Sequence, residues 1–150
     1  MDDEPPDFPR VMPPVYPKPA LDDLHLSDLE TDVWLMIESI RDPEFPHTLS
    51  ELRVLTPDQL KADDRAILVR FRPTVQHCSL ATLIGLSVIF QLRSHYGAQW
   101  RVDVELVAGS HEDEVAINKQ LADKERVLAA LENSAISETI ESMLVHYSYT

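Results

Sequence analysis

Apolar residues recur at helical spacing from Leu29 onward, through Val33, Leu35, Met36, Ile37 and Ile40. Ser27-Asp28-Leu29-Glu30, directly ahead of them, has the S-x-x-E form of a capping box. The spacing therefore predicts a helix that starts near Ser27. Arg41 follows where a cation complements the negative end of the helix dipole. Pro43 biases Asp42 away from helical angles, which leaves residues 42–48, DPEFPHT, as a loop. A first strand is predicted over residues 52–55, and the polar run 57–65, with Asp63-Asp64, reads as a hairpin-like connection. In residues 66–72, AILVRFR, Val69 and Phe71 alternate with Arg70 and Arg72, the period-2 mark of a strand. Residues 79–94 carry Leu80, Leu83, Ile84, Leu86 and Val88 and predict a largely buried helix. Gly85 inside it costs about 1 kcal/mol relative to Ala, which points to close packing. Alternation returns at 100–107, WRVDVELV, where Val102, Val104 and Leu106 oppose Arg101, Asp103 and Glu105. After a turn at Gly109-Ser110, residues 112–132 predict a helical region with Val115, Leu121, Val127, Leu128 and Leu131 as its apolar stripe and a break near Ala122-Asp123. A last helix is expected at 137–146.

The resulting order, α-β-β-α-β-α-α, is that of an α/β (α+β) domain. Its sheet should be small and mixed, three-stranded or slightly larger, and packed against helices. The length of 150 residues and a hydrophobic content of 44% fit one domain with one core. That domain is assigned to 27–150. Residues 1–26 are read as a proline-rich, disordered tail, because seven of the 11 prolines stand at 5, 6, 9, 13, 14, 17 and 19 and cannot donate to helix or sheet ladders.

Charge and cysteine usage narrow the function classes. A formal charge of −13, with 13 basic against 26 acidic residues, argues against binding nucleic acid through phosphate neutralisation. No apolar run of transmembrane length occurs, and the opening MDDEPPDF lacks the basic and apolar regions of a signal peptide. A single cysteine, Cys78, rules out an intramolecular disulfide and fits a reducing cytoplasmic or nuclear setting. It also rules out a four-cysteine cluster or zinc ribbon within one chain. No P-loop, GxGxxG, GxSxG or HExxH motif is present.

Cys78 falls where a strand gives way to a helix, in RPTVQHCSLATLIGL. Unpaired N–H groups at a helix start favour the thiolate, the form that attacks electrophiles and binds soft metals. An inert, buried thiol is the competing reading, since free cysteine is often a core residue. His77 is adjacent, but neighbouring side chains at a helix start diverge. A Cys/His zinc site would need His47 and His111 to approach His77 in space. Asp42 and Glu44 form either an acid/base pair or ordinary turn chemistry, and Thr74 is either a hydrogen-bonding neighbour of the thiol or a strand-end hydroxyl. The charged run NKQLADKER (Asn118, Lys119, Gln120, Leu121, Ala122, Asp123, Lys124, Glu125, Arg126) reads on composition as a solvated helix face, with Lys119/Asp123 and Gln120/Lys124 as i,i+4 pairs.

Three segments in order, IRDPEFPHTLSELRV (40–54), VRFRPTVQHCSLATLIGL (69–86) and GSHEDEVAINKQLADKERVLAALEN (109–133), resemble the eukaryotic cytosolic iron–sulfur assembly component 2 family, relatives of the bacterial SufT-type domain. The resemblance spans roughly 30–146. It implies a compact α/β domain in the cytosolic targeting complex, beside a WD40 propeller and a HEAT-repeat subunit. That complex delivers iron–sulfur clusters to cytosolic and nuclear apo-proteins. It also implies that Cys78 is the functional thiol, within P-T-x-x-H-C-S, with Asp42, Glu44, Thr74 and His77 as its neighbours. Asn118, Lys119, Gln120, Asp123, Lys124, Glu125 and Arg126 become a partner-facing surface. Gln76 departs from the family's proline and Ser110 from its threonine.

On this basis the expected function is a non-enzymatic adaptor and transfer factor, cytoplasmic and extending to the nucleus. No cofactor is expected to be stably bound, and a cluster would be held only transiently. A cluster usually takes four ligands, mostly thiolates, so Cys78 as a metal ligand supplies one, and a homodimer, a partner or the client supplies the rest. Two other classes stay open: a scaffold with an inert cysteine in chromosome-segregation or helicase complexes, and a thiol-dependent enzyme with Cys78 as nucleophile.

Overall fold

The computed structural model describes residues 12–74 and 76–144. Its first helix, α1 (Asp28–Ile37), opens on the capping box the sequence announces. The Ser27 N–H donates to Glu30 Oε1 and the Glu30 N–H to Ser27 Oγ, each at 3.1 Å. The other Glu30 oxygen accepts the N–H of Ala62 at 3.1 Å, so the same carboxylate ties the helix start to the sheet edge. These backbone donors, Ser27 first, hold the Glu30 carboxyl below its ordinary range. The helix closes at Ile37, short of Ile40. Arg41 therefore does not serve the helix end; it bridges to Thr48 and donates its N–H to the Met143 carbonyl.

The strand expected over 52–55 is a series of turns. Leu52, Val54 and Leu55 are all buried, which a half-exposed strand does not allow, and Arg53 adopts φ 56. The first strand instead lies inside the run read as a connection: β1 (Leu60–Asp63) pairs antiparallel with β2 (Ala66–Phe71). Leu60 and Ala62 face the core while Lys61 and Asp63 face water, a pattern too short to stand out in LKAD. The two turn residues, Asp64 and Arg65, have φ 48 and 65, the pair of positive values that a type I′ hairpin requires.

β2 continues into α2 (Cys78–Tyr96) and then β3 (Arg101–Leu106), which pairs parallel with β2, so the sheet has the order β1-β2-β3 and is mixed. Ile67, Val69 and Phe71 of β2 and Val102, Val104 and Leu106 of β3 point into the core. On the opposite face Arg70 and Glu105, partners in register, form an ion pair at 2.8 Å. α1 packs on β1 and α2, α2 on β3, and α3 (Glu114–Ala122) on β3 and α2. A Cβ on Gly85 would come within 2.6 Å of Leu121 Cδ1, so the glycine lets α2 and α3 approach closely, as its position suggests.

The helical region breaks at Asp123, which caps α4 (Lys124–Glu132) by accepting the N–H groups of Glu125 and Arg126. That break removes the i,i+4 relation of Lys119 to Asp123 and of Gln120 to Lys124; Asp123 pairs with Arg126 at 3.6 Å. Of the expected apolar stripe, Leu121 and Val127 are buried in the core, whereas Val115 and Leu128 are 81% and 58% exposed, and Ile117, outside the stripe, fills the core with them. The last helix, α5, is Ser134–Leu144, starting one turn earlier than expected; His146 lies outside the described residues. Prolines 5, 6 and 9 also lie outside them. Of the described part of the proline-rich segment, the Tyr16 N–H donates to the Glu51 carbonyl at 2.8 Å and Lys18 pairs with Glu38 at 3.2 Å. No helix among the described residues is long and apolar enough to cross a membrane.

Candidate functional site

Because β2 and β3 run parallel, their carboxyl ends lie at the same edge of the sheet, and each leads through a loop into a helix. Such adjacent strand ends are where α/β folds gather ligand-binding groups. The loop after β2 delivers Cys78 and the loop after β3 delivers Asp113. Gln76 ties the two together: its Oε1 accepts the Glu112 N–H at 3.3 Å, and its Nε2 donates to the Ser110 carbonyl at 3.5 Å.

Cys78 is the first residue of α2 and is exposed, so it is not a buried core residue. His77 takes the N-cap position, but its side chain makes no capping bond. The thiol donates to Asp113 Oδ2 at 2.8 Å. Asp113 stands at the N-cap of α3, yet its carboxylate does not cap that helix and is left for the sulfur. This pairing reverses the expected effect of the helix start. The hydrogen bond to Asp113, then desolvation and the Asp113 charge, push the Cys78 thiol above its ordinary range, and Glu112 adds to the shift. The thiol's own backbone N–H pulls the other way and is outweighed.

His111 secures Asp113 from behind. The Asp113 N–H donates to His111 Nδ1 at 2.9 Å, which leaves Nε2 on the far side of the ring. That Nε2 is buried and has no partner among the described residues. On the other side of Cys78 a cavity of about 550 Å³ opens, walled by Leu80, Leu83, Leu86 and Ile136, with Gln120 at its edge.

The other residues read from the sequence stand as follows. Asp42 is buried; its Oδ1 accepts the N–H groups of Glu44 and Phe45 at 2.8 and 2.9 Å, which shapes the D-P-E loop. Burial pushes its carboxyl up, against those two hydrogen bonds. Thr74 lines a different cavity, and its Oγ1 is buried without a partner among the described residues. His47 sits 3.8 Å from Glu51, and among the described residues no group of three His, Cys, Asp or Glu could hold a metal ion. The charged run divides. Lys119, Gln120, Lys124, Glu125 and Arg126 are exposed, Asp123 caps α4, and Asn118 accepts the Leu106 N–H at 2.8 Å, pinning α3 to the end of β3. Asn118→Ala orphans that N–H and should cost about 1–3 kcal/mol, measured by urea unfolding; an unchanged midpoint would contradict the pin.

The residue the sequence reading missed is Asp113. A signal for it existed: β-α-β order implies parallel strands, and parallel strands put the loop bearing GSHEDE beside the loop bearing the cysteine.

No family model matches the chain. Among curated proteins it is 45% identical over 117 residues to Protein AE7 of Arabidopsis thaliana, covering 77% of the chain and 74% of the relative. It is 44% identical over 115 residues to MIP18 family protein galla-2 of Drosophila melanogaster, covering 75% and 74%. It is likewise 44% identical over 115 residues to cytosolic iron-sulfur assembly component 2B of Mus musculus, covering 75% and 71%.

Proposed function

Because the chain belongs to the family of MIP18 proteins and cytosolic iron–sulfur assembly component 2B, we propose that it works in cytosolic iron–sulfur protein assembly. Its role there is that of a non-enzymatic adaptor that passes clusters to apo-proteins, with Cys78 as the working thiol. A WD40 propeller and a HEAT-repeat subunit are its partners, and its clients are cytosolic and nuclear. The observation that carries this reading is the exposed Cys78 thiol hydrogen-bonded to Asp113 beside an apolar groove.

The chemistry follows from that pair. The cluster is cargo. When one of its irons binds the sulfur, the S–H bond breaks, an Fe–S bond forms, and the ligand previously on that iron departs. Asp113, already accepting the proton's hydrogen bond at 2.8 Å, takes the proton. One thiolate of the usual four holds a cluster weakly, which suits handover rather than storage. Cys78→Ala should fold normally and retain its partners, while client proteins lose most of their cluster content, read by iron analysis and absorbance of purified clients. Normal loading of clients in that variant would sink the proposal.

The cavity beside Cys78 favours a second reading, a thiol-dependent enzyme with Asp113 as base. Turnover of a defined substrate with a pH–rate profile lost in Cys78→Ala would support it over the adaptor.

A further inference from the structure

Thr74, singled out with the cysteine motif, shares a cavity with two arginines, apart from the one beside the thiol. A cavity of about 460 Å³ is lined by Pro14, Tyr16, Arg53, Asp58, Arg72 and Thr74, among others. Arg53 is held there at φ 56, a left-handed conformation that a residue with a Cβ adopts only under constraint. Its guanidinium lies 3.7 Å from the centre of the Tyr16 ring. Guanidinium donors lie in the plane of the group, so stacking on an aromatic face orients the fork and leaves its N–H edges open.

Neither Arg53 nor Arg72 forms an ion pair among the described residues, in a chain with 26 acidic residues. Arg70, two positions before Arg72, does find a carboxylate, Glu105. Asp58 lines the same cavity and forms no ion pair with either arginine among the described residues. An exposed guanidinium is satisfied by water, so the arginines alone would say little. The buried Thr74 hydroxyl, without a partner among the described residues, is different, because an unmade hydrogen bond in a buried place costs free energy until something supplies the missing atom.

We propose that this cavity binds a phosphate group carried on a peptide, with Arg53 and Arg72 as fork donors and the Thr74 hydroxyl donating to a third oxygen. Three donor groups match the three free oxygens of a phosphomonoester better than the two of a carboxylate. The volume exceeds the needs of a free phosphate ion, and Pro14, Tyr16 and Val107 offer apolar walls for flanking peptide atoms. The net charge of −13 repels anions at long range, so affinity must come from these short contacts.

The test is calorimetric titration of the full chain with acetyl-Gly-Gly-phosphoserine-Gly-Gly-amide, its serine and aspartate counterparts, and inorganic phosphate. The phosphopeptide should bind at least tenfold tighter than the aspartate peptide and than inorganic phosphate, and the serine peptide should not bind. Arg72→Gln should weaken it at least tenfold and Thr74→Val several-fold. Arg53→Gly should weaken it at least tenfold without loss of folding, since glycine accepts φ 56 freely; thermal melts check this. Cys78→Ala should bind as the wild type does, which separates this site from the cluster proposal. Equal affinity for phosphopeptide and aspartate peptide overturns the proposal, as does equal affinity for phosphopeptide and inorganic phosphate, or affinity unchanged in Arg53→Gly and Arg72→Gln.

Discussion

Asp113→Ala should make Cys78 react several-fold faster with a neutral alkylating reagent such as iodoacetamide near pH 7.5. The thiolate is the attacking form, and in the wild type the Asp113 hydrogen bond and charge both favour the protonated thiol. With the folded-state value raised, the wild-type rate climbs with pH through a midpoint above the ~8.5 of a free cysteine. Without Asp113 the two contributions it makes are gone, only desolvation and the Glu112 charge still oppose the backbone N–H, and the midpoint moves down. Asp113→Asn should fall between the two, since it removes the charge and keeps a hydrogen-bonding oxygen. A neutral reagent matters because the chain's net charge of −13 would distort the approach of a charged one. Folding stability should move little, within about ±0.5 kcal/mol, because the Asp113 side chain caps nothing. An unchanged or slower alkylation rate in Asp113→Ala would mean that the carboxylate does not govern the thiol.

What the sequence made legible divides along one physical line, the range of the interaction. Local devices were readable: the Ser27–Glu30 box, the alternation of AILVRF and RVDVEL, and the break at Asp123 each depend on neighbours within four residues. β1 was not, because the alternation in LKAD is only four residues long, and it is a strand because β2 offers a ladder and Glu30 accepts the Ala62 N–H. Leu52, Val54 and Leu55 misled because apolar β-formers can line a core from turns as well as from strands. The same limit applies to the candidate site. Cys78 at a helix start was legible from its own segment. Its governing partner, 35 positions away, depends on parallel strand pairing, and the partner reverses the sign of the effect that local reasoning assigned to the thiol. Asn118 shows the converse: a residue read as surface serves the backbone of Leu106.

Phe71→Ala should cost about 3–5 kcal/mol, the largest loss of stability expected from a single truncation near this end of the sheet. The side chain is fully buried, it pairs in register with Leu106, and its carbonyl accepts the Val107 N–H at 2.9 Å. That cost is a large share of the roughly 5–15 kcal/mol available to a domain, and it should lower Tm by on the order of 10 °C. Phe71→Leu, which keeps most of the volume, should cost far less. The position also tests how the site is built. Phe71 is the last residue of β2, and the loops that carry Cys78 and Asp113 leave from the ends of β2 and β3. A void beneath those ends should loosen the spacing of the two loops and lengthen the 2.8 Å sulfur–oxygen contact. Well below its own transition, Phe71→Ala should therefore alkylate at Cys78 faster than the wild type. If loosening acts through Asp113, adding Phe71→Ala to Asp113→Ala should give no further acceleration, since two changes to one coupled contact do not add. Full additivity of the two rate effects would show that the core under the strand ends and the carboxylate act on the thiol separately.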